Sequence, residues 1–297
     1  MAFVRDSYEV GKAHGEPLIG FFPEWNNGAT AEACEIADMI GVALRLSQAG
    51  IGDYWDDVDR YVRNQFAESQ LLRADWINRH AEGLERGPVP DAPAALTDQV
   101  AERNIGAFAG WASVNDFCPN ATAILMHCCL GNAARTLYYV WKSILEYANG
   151  ALRVNLLLNR ASRWADVDSY IPYEGRVDIK LKTDCKLEVR IPEWVQPEQT
   201  VCTVNGSLRR LSFQGRYAQA GDVHLRDVVA ITFPIFERTV KATIGAGDYT
   251  LVLKGNEVVA IDPPGKLCPL YLRPHYRENR VRWVRRERFA PAEEINW

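Results

Sequence analysis

The chain has 297 residues, 47% of them hydrophobic and 24% charged, which excludes a disordered or fibrous protein and leaves room for two cores of ordinary size. A formal net charge of −4 with no basic stripe argues against nucleic acid as a partner, and the arginine-rich run 280–288, with Trp283 inside it, reads as a solvated strand. No apolar run reaches the roughly 18 residues of a membrane span, and Met1-Ala2-Phe3-Val4-Arg5-Asp6 lacks a signal-peptide pattern, so the expected address is the cytoplasm, with no membrane partner.

The first thirty residues read as loop, because Gly11, Gly15, Pro17, Gly20, Pro23 and Asn26-Asn27-Gly28 interrupt every period. A loop this long inside a compact domain usually carries function. It holds His14-Gly15-Glu16 and leads to Thr30-Ala31-Glu32-Ala33-Cys34. Ala33, Ile36, Ala37, Ile40, Ala43 and Leu44 then recur at helical spacing, with Thr30 as N-cap and Gly50 as stop. A second helix is expected over 53–68, with Trp55, Val58, Tyr61, Val62 and Phe66 inward, and a third over 74–81. Between 82 and 110 the pattern lapses into Gly, Pro and short charged pieces. The stripe Ala133, Leu137, Tyr138, Val140, Trp141, Ile144 and Leu145 predicts a long helix closed by Asn149-Gly150. Beyond Gly150 the period changes from 3.6 to 2 in short runs such as Val177-Ile179-Leu181, Leu187-Val189-Ile191 and Val229-Ile231-Phe233, which predicts an all-β half, a sandwich.

Cys128-Cys129 stands at the head of the last helical pattern. Seven cysteines, an odd number without scaffold-like spacing, fit a reducing compartment and a metal or catalytic use better than a disulfide framework. A bridge between adjacent cysteines would close a strained ring. Metal ligation or thiolate chemistry is the sharper reading of the pair, and two buried thiols acting as small apolar side chains is the other.

Several signatures occur in one order: Gly15-Glu16; Glu32-Ala33-Cys34; Cys128-Cys129 with Asn132-Ala133-Ala134-Arg135; Leu187-Glu188-Val189-Arg190-Ile191-Pro192-Glu193-Trp194; Val204-Asn205-Gly206; and Gly221-Asp222-Val223. In this order and spacing the chain resembles the β-L-arabinofuranosidase family of glycoside hydrolases, over roughly residues 10 to 240. The resemblance implies an α+β multidomain chain, a partial (α/α)₆ helical barrel followed by an all-β sandwich. Residues 1–150 would be the C-terminal part of the barrel carrying the site, 151–242 the sandwich, and 243–297 further strands and a tail.

It also implies a Zn²⁺ site. The family's Glu-Thr-Cys is matched by Glu32-Ala33-Cys34 and its Cys-Cys by Cys128-Cys129, which makes Glu32, Cys34, Cys128 and Cys129 the expected ligands and Cys128 the expected nucleophile. The family's acid/base glutamate follows a glycine sixteen residues before the zinc-binding glutamate, which lands on Glu16. Met126 and Leu130-Gly131 stand where the family often has a third cysteine and two prolines. On this resemblance the substrate is a carbohydrate, a furanoside cleaved with retention. The first half of the barrel would lie upstream of Met1, so a homo-oligomer or a missing N-terminal barrel half would cover the open side.

Three thiolates and a carboxylate are a sensible tetrahedral set for zinc. Glu32 and Cys34 at i and i+2 would point to different sides of an ideal helix, so shared ligation predicts an extended or turn-like segment there. His14, His127 and Trp111 are candidates for the sugar site, beside the plainer readings of a solvent-facing loop histidine, a backbone-satisfying histidine and a core anchor; Trp25 is read like Trp111. Cys118, Cys185, Cys202 and Cys268 read as packing residues, and Asp116 as a turn former. Two other functions stay open: an inactive fragment with a structural zinc site and a carbohydrate- or subunit-binding sandwich, and a polysaccharide lyase on a related helical toroid.

Overall fold

A computed structural model describes residues 2–24, 28–85, 87–88, 98–118, 127–281 and 290. Residues Ala2–His14 form a helix (α1) where the sequence reads as loop. Tyr8 is its one buried residue, so there is no apolar stripe for periodicity to detect. Gly11 lies where a Cβ would stand 3.3 Å from Met39 Sδ, which accounts for a glycine inside the helix.

Ala33–Gln48 (α2) forms as the apolar spacing predicts, burying Ile36, Ala37, Ile40, Ala43, Leu44 and Leu46. Its N-cap is Glu32, extended at φ −86° and ψ 135°, rather than Thr30. Where one helix is expected over 53–68 there are two, Trp55–Arg63 (α3) and Gln65–Glu68 (α4). The break is Asn64, whose side chain donates to Asn256 O and accepts from Val258 N, both at 2.8 Å. Tertiary bonds override helix continuity there. Asp75–Ala81 (α5) and the short Val100–Arg103 (α6) follow, then His127–Ser143 (α7).

Helices α2 and α7 lie side by side and parallel. Asn132 Nδ2 donates to Cys34 O at 3.2 Å, Thr136 Oγ1 to Ala37 O at 3.4 Å, and Gln48 Nε2 to Ser143 Oγ at 3.1 Å, a ladder that climbs both helices together. Their N-termini therefore emerge at the same end.

Helix α7 stops short of Asn149-Gly150, because Leu145–Ala148 (β1) and Ala151–Val154 (β2) form a hairpin across that pair. Asn149 and Gly150 take φ of +52° and +77°, the double positive φ of a two-residue turn. The strands that follow are Arg160–Ala161 (β3), Ala165–Ser169 (β4), Arg176–Leu181 (β5), Cys185–Arg190 (β6), Val201–Val204 (β7), Ser207–Arg209 (β8), Ser212–Gln214 (β9), Tyr217–Val223 (β10), Val228–Thr232 (β11), Glu237–Ile244 (β12), Gly247–Lys254 (β13) and Glu257–Asp262 (β14). They build sheets ordered β1-β2-β6-β10-β9, β3-β4-β5-β11-β7-β8 and β12-β13-β14. Among the described residues β2 and β6 pair in parallel and the other ladders are antiparallel. Leu152, Leu187 and Val189 of the first sheet and Val177, Ile179, Val229 and Ile231 of the second join one buried core, as sandwich packing requires. The chain is thus α+β. Among the described residues no helix is long and apolar enough to cross a membrane.

A buried polar network fastens α3 to the sheets. Asp56, 3% exposed, accepts from Arg190 Nη2 at 2.5 Å and from Glu193 N at 3.1 Å. Arg63 bonds Asp59, Glu257 and Leu157 O, and Arg273 bonds Glu68 and Glu257. These contacts hold the helical part and the strands as one body around the site.

Candidate metal centre and adjoining cavity

The shared end of α2 and α7 gathers four ligand atoms. Glu32 precedes α2, Cys34 lies in its first turn, and Cys128 and Cys129 lie in the first turn of α7. The helix starts at Ala33 and already includes Cys34, so the expected extended segment is confined to Glu32; the change from extended Glu32 to helical Cys34 is what lets the i and i+2 side chains face one point. One oxygen of Glu32 and the three sulfurs all lie within 4.8 Å of one another. Sγ of Cys34 and Cys129 are 3.5 Å apart and those of Cys128 and Cys129 3.9 Å, while Glu32 Oε1 is 3.2 Å from Cys129 Sγ and 3.7 Å from Cys128 Sγ.

Zinc–sulfur bonds of about 2.3 Å and zinc–oxygen bonds of about 2.1 Å give tetrahedron edges of about 3.8 Å between sulfurs and about 3.5 Å between sulfur and oxygen. Four of the six edges scatter around those values and the other two stay within 4.8 Å, so the donor set suits a four-coordinate cation in chemistry and is close to the size one needs.

The electrostatics point the same way. Burial pushes the Cys34 thiol up to about 12, with the Glu32 carboxylate adding to the shift. Burial also raises Cys129, which is 0% exposed and donates to Glu32. Such a cluster resists negative charge until a cation balances it. Two helix N-termini lend it partial positive charge. Cys128, by contrast, is exposed. Asn132, which donates to Cys34 O and to Asp38 Oδ1 at 3.0 Å, ties the two ligand-bearing turns together. Beside the cluster, burial and then the charges of Glu24 and Glu32 push the Glu35 carboxyl up to about 7.

Glu16 lies in the turn after α1, where its backbone bridges to Phe21 and its Oε1 accepts from Leu18 N at 2.9 Å. It lines a cavity of about 540 Å³ with His14, Phe21, Pro23 and Glu24, and across from them Thr243, Ile244 and Gly245 of the β12–β13 hairpin. The lining of this cavity includes none of the four ligand residues. Bridges from Pro23 to Ala31 and from Ala31 to Ala112 return the segment that carries Glu16 to the start of α2.

His14 ends α1 at an exposed position on the rim of that cavity. Trp111 is half-buried and donates through Nε1 to Glu24 Oε2, which fixes the carboxylate rather than leaving the indole free to stack. His127 opens α7, and its side chain lies outside the described residues, as do Trp25 and Met126. Cys118, Cys185 and Cys202 are buried. Asp116 does more than form a turn: it accepts backbone N–H bonds from Lys266, Leu267 and Cys268 at 2.6 to 2.7 Å and anchors that distant loop. Sequence reasoning missed Glu24 and the hairpin wall. Glu24 sits in no motif, and the hairpin is over 200 residues downstream of Glu16.

A partial helical barrel with a β region, holding a Glu/Cys cluster at the helix ends, is the fold class this geometry defines. No protein-family model matches the sequence, and no curated protein sequence matches it. Two solved structures are similar in fold. One is a GH127 β-L-arabinofuranosidase from Geobacillus stearothermophilus T6, with a TM-score of 0.51 and 19% identity, covering 81% of this chain and 40% of that one. The other is a GH127 β-arabinofuranosidase with a TM-score of 0.55 and 16% identity, covering 81% of this chain and 42% of that one. The chain therefore spans about two fifths of the length of the structures it matches. The likeness is one of fold, and it falls on the enzymes that the sequence resembles.

Proposed function

We propose that the chain carries the zinc centre and catalytic groups of a retaining glycosidase that acts on β-L-arabinofuranosides. The observation that carries the reading is the convergence of Glu32, Cys34, Cys128 and Cys129 within 4.8 Å of one another, with Cys128 alone among the sulfurs exposed. Glu32, Cys34 and Cys129 would hold the zinc ion together with Cys128, and the bound ion would keep the thiols deprotonated at neutral pH. Cys128 Sγ attacks the anomeric carbon as the bond to the leaving oxygen breaks, and Glu16 gives that oxygen its proton. Water then attacks the same carbon and yields a proton to Glu16, and the carbon–sulfur bond breaks with Sγ as leaving group. Two displacements at one carbon retain its configuration.

The test is metal analysis of the purified chain together with hydrolysis of an aryl β-L-arabinofuranoside. One zinc per chain, cleavage, and loss of cleavage in Cys128→Ser and Glu16→Gln are the expected results. A chain with no stoichiometric zinc and no cleavage would sink the reading. The absence of the four cluster residues from the Glu16 cavity favours a second reading, a structural zinc site beside a carbohydrate- or subunit-binding sandwich. Stoichiometric zinc without cleavage is its signature.

A further inference from the structure

The cavity that holds Glu16 has two walls from opposite ends of the chain. His14, Gly15, Glu16, Phe21, Pro23, Glu24 and Gly28 supply one. The other is the tip of the β12–β13 hairpin, where Ile244 pairs with Gly247 and residues 245–246 make the turn. The walls meet backbone to backbone. A Cβ on Gly245 would stand 1.8 Å from Gly28 O, and a Cβ on Gly28 would stand 2.7 Å from Gly245 Cα. Both glycines are also at positive φ, +58° and +64°. Neither position accepts a side chain, so the hairpin is pressed directly onto the backbone at Gly28, four residues before Glu32.

Ile244 is 2% exposed and anchors the tip in the core, while Thr243 beside it is exposed on the cavity side. Thr243 Oγ1 donates to Asp248 Oδ1 across the ladder at 2.7 Å, which fixes the direction of its side chain.

We propose that the β12–β13 hairpin is the leaving-group wall of this cavity and that Thr243 is a specificity-determining residue, setting how large a group can be attached to the departing oxygen. The proposal rests on the reading of Glu16 as proton donor. A general acid must come within about 2.6–3.2 Å of the oxygen it protonates, so whatever that oxygen carries lies in the space around Glu16. Across that space stand Thr243, Ile244 and Gly245. A volume of about 540 Å³ has room for an aryl or sugar leaving group beside Glu16.

The experiment uses Cys128→Ser protein, in which binding is read without turnover. Calorimetric titration with methyl and with 4-nitrophenyl β-L-arabinofuranoside is compared for the native hairpin, Thr243→Phe and Gly245→Ala. Thr243→Phe adds bulk at an exposed strand position and leaves the fold in place. It is expected to weaken the aryl glycoside on the order of tenfold, about 1.4 kcal/mol, and to change the methyl glycoside by less than about threefold. Gly245→Ala lifts the tip off Gly28 and is expected to erode the same preference. Equal losses for both ligands in Thr243→Phe, no loss for either, or no binding of either ligand by the native hairpin would each overturn the proposal. Zinc content separates this result from the reading above. A chain that holds zinc and cleaves the aryl glycoside with a preference untouched by Thr243→Phe sinks the hairpin alone. A chain without zinc that still shows the aryl-selective loss sinks the metal centre alone.

Discussion

Cys34 and Cys129 differ from Cys128 in a way that matters for chemistry, because burial holds both as thiols while Cys128 faces solvent. A cation entering the site must displace those protons, so affinity for zinc rises with pH. The sign follows from the raised Cys34 value of about 12: at neutral pH the metal-free thiol is protonated, and every unit of pH makes its removal easier. With three thiols, Cys34, Cys128 and Cys129, each losing a proton on binding, log affinity should climb by about three per pH unit between pH 6 and 8, read by competition with a chromophoric chelator. A flat profile would mean the thiols are not ligands. Asn132 offers a finer test, since it ties Cys34 to α7 without touching the metal. Asn132→Ala should weaken zinc by about 10- to 100-fold, and Cys34→Ala by more.

At the scale of elements, the parallel pair α2 and α7 converts two distant motifs into one centre, and α3 holds that pair to the sheets. Asp56 is the clearest element-level contact, lying between Arg190 at 5% exposure and the backbone of Glu193. Asp56→Ala strands part of a buried guanidinium charge and an N–H group, and should cost about 3 kcal/mol or more in urea unfolding, with zinc content intact. Several elements were legible in sequence. The apolar spacing of 33–48 and the period-two runs of β5, β6 and β11 stand where expected. Others were hidden for physical reasons. Helix α1 buries one residue and so has no stripe, and β4 and β12 carry too few apolar residues for their period to show. By apolar spacing the Asn149-Gly150 pair closes a helix, yet in the fold it is the turn of a hairpin, because Ile144 and Leu145 satisfy either period.

For the whole molecule, the Glu32, Cys34, Cys128 and Cys129 cluster joins the helical ends that the rest of the chain packs against, so occupancy by a metal ion should report as global stability. A ligand that binds only the folded state adds about 2.7 kcal/mol at a hundred times its dissociation constant. Thermal unfolding after exhaustive chelation should therefore begin several degrees lower than with zinc restored, and magnesium should not substitute, since thiolates prefer the softer ion. An unchanged midpoint would place the cluster among ordinary buried thiols.

Glu16, Glu32, Cys34, Cys128 and Cys129 are nameable from the sequence through its resemblance to the β-L-arabinofuranosidase family, whose short motifs they match. The strand-rich second half is legible in the sequence too, where alternation follows from having one buried face. The tertiary structure alone decided that four of those residues converge within bonding range of one cation, because that depends on two helices lying parallel with their N-termini together. It alone placed Glu16 in a separate-walled cavity with Glu24 and the β12–β13 hairpin. Contacts between residues more than 200 positions apart leave no period and no spacing in the chain, so only packing reveals them.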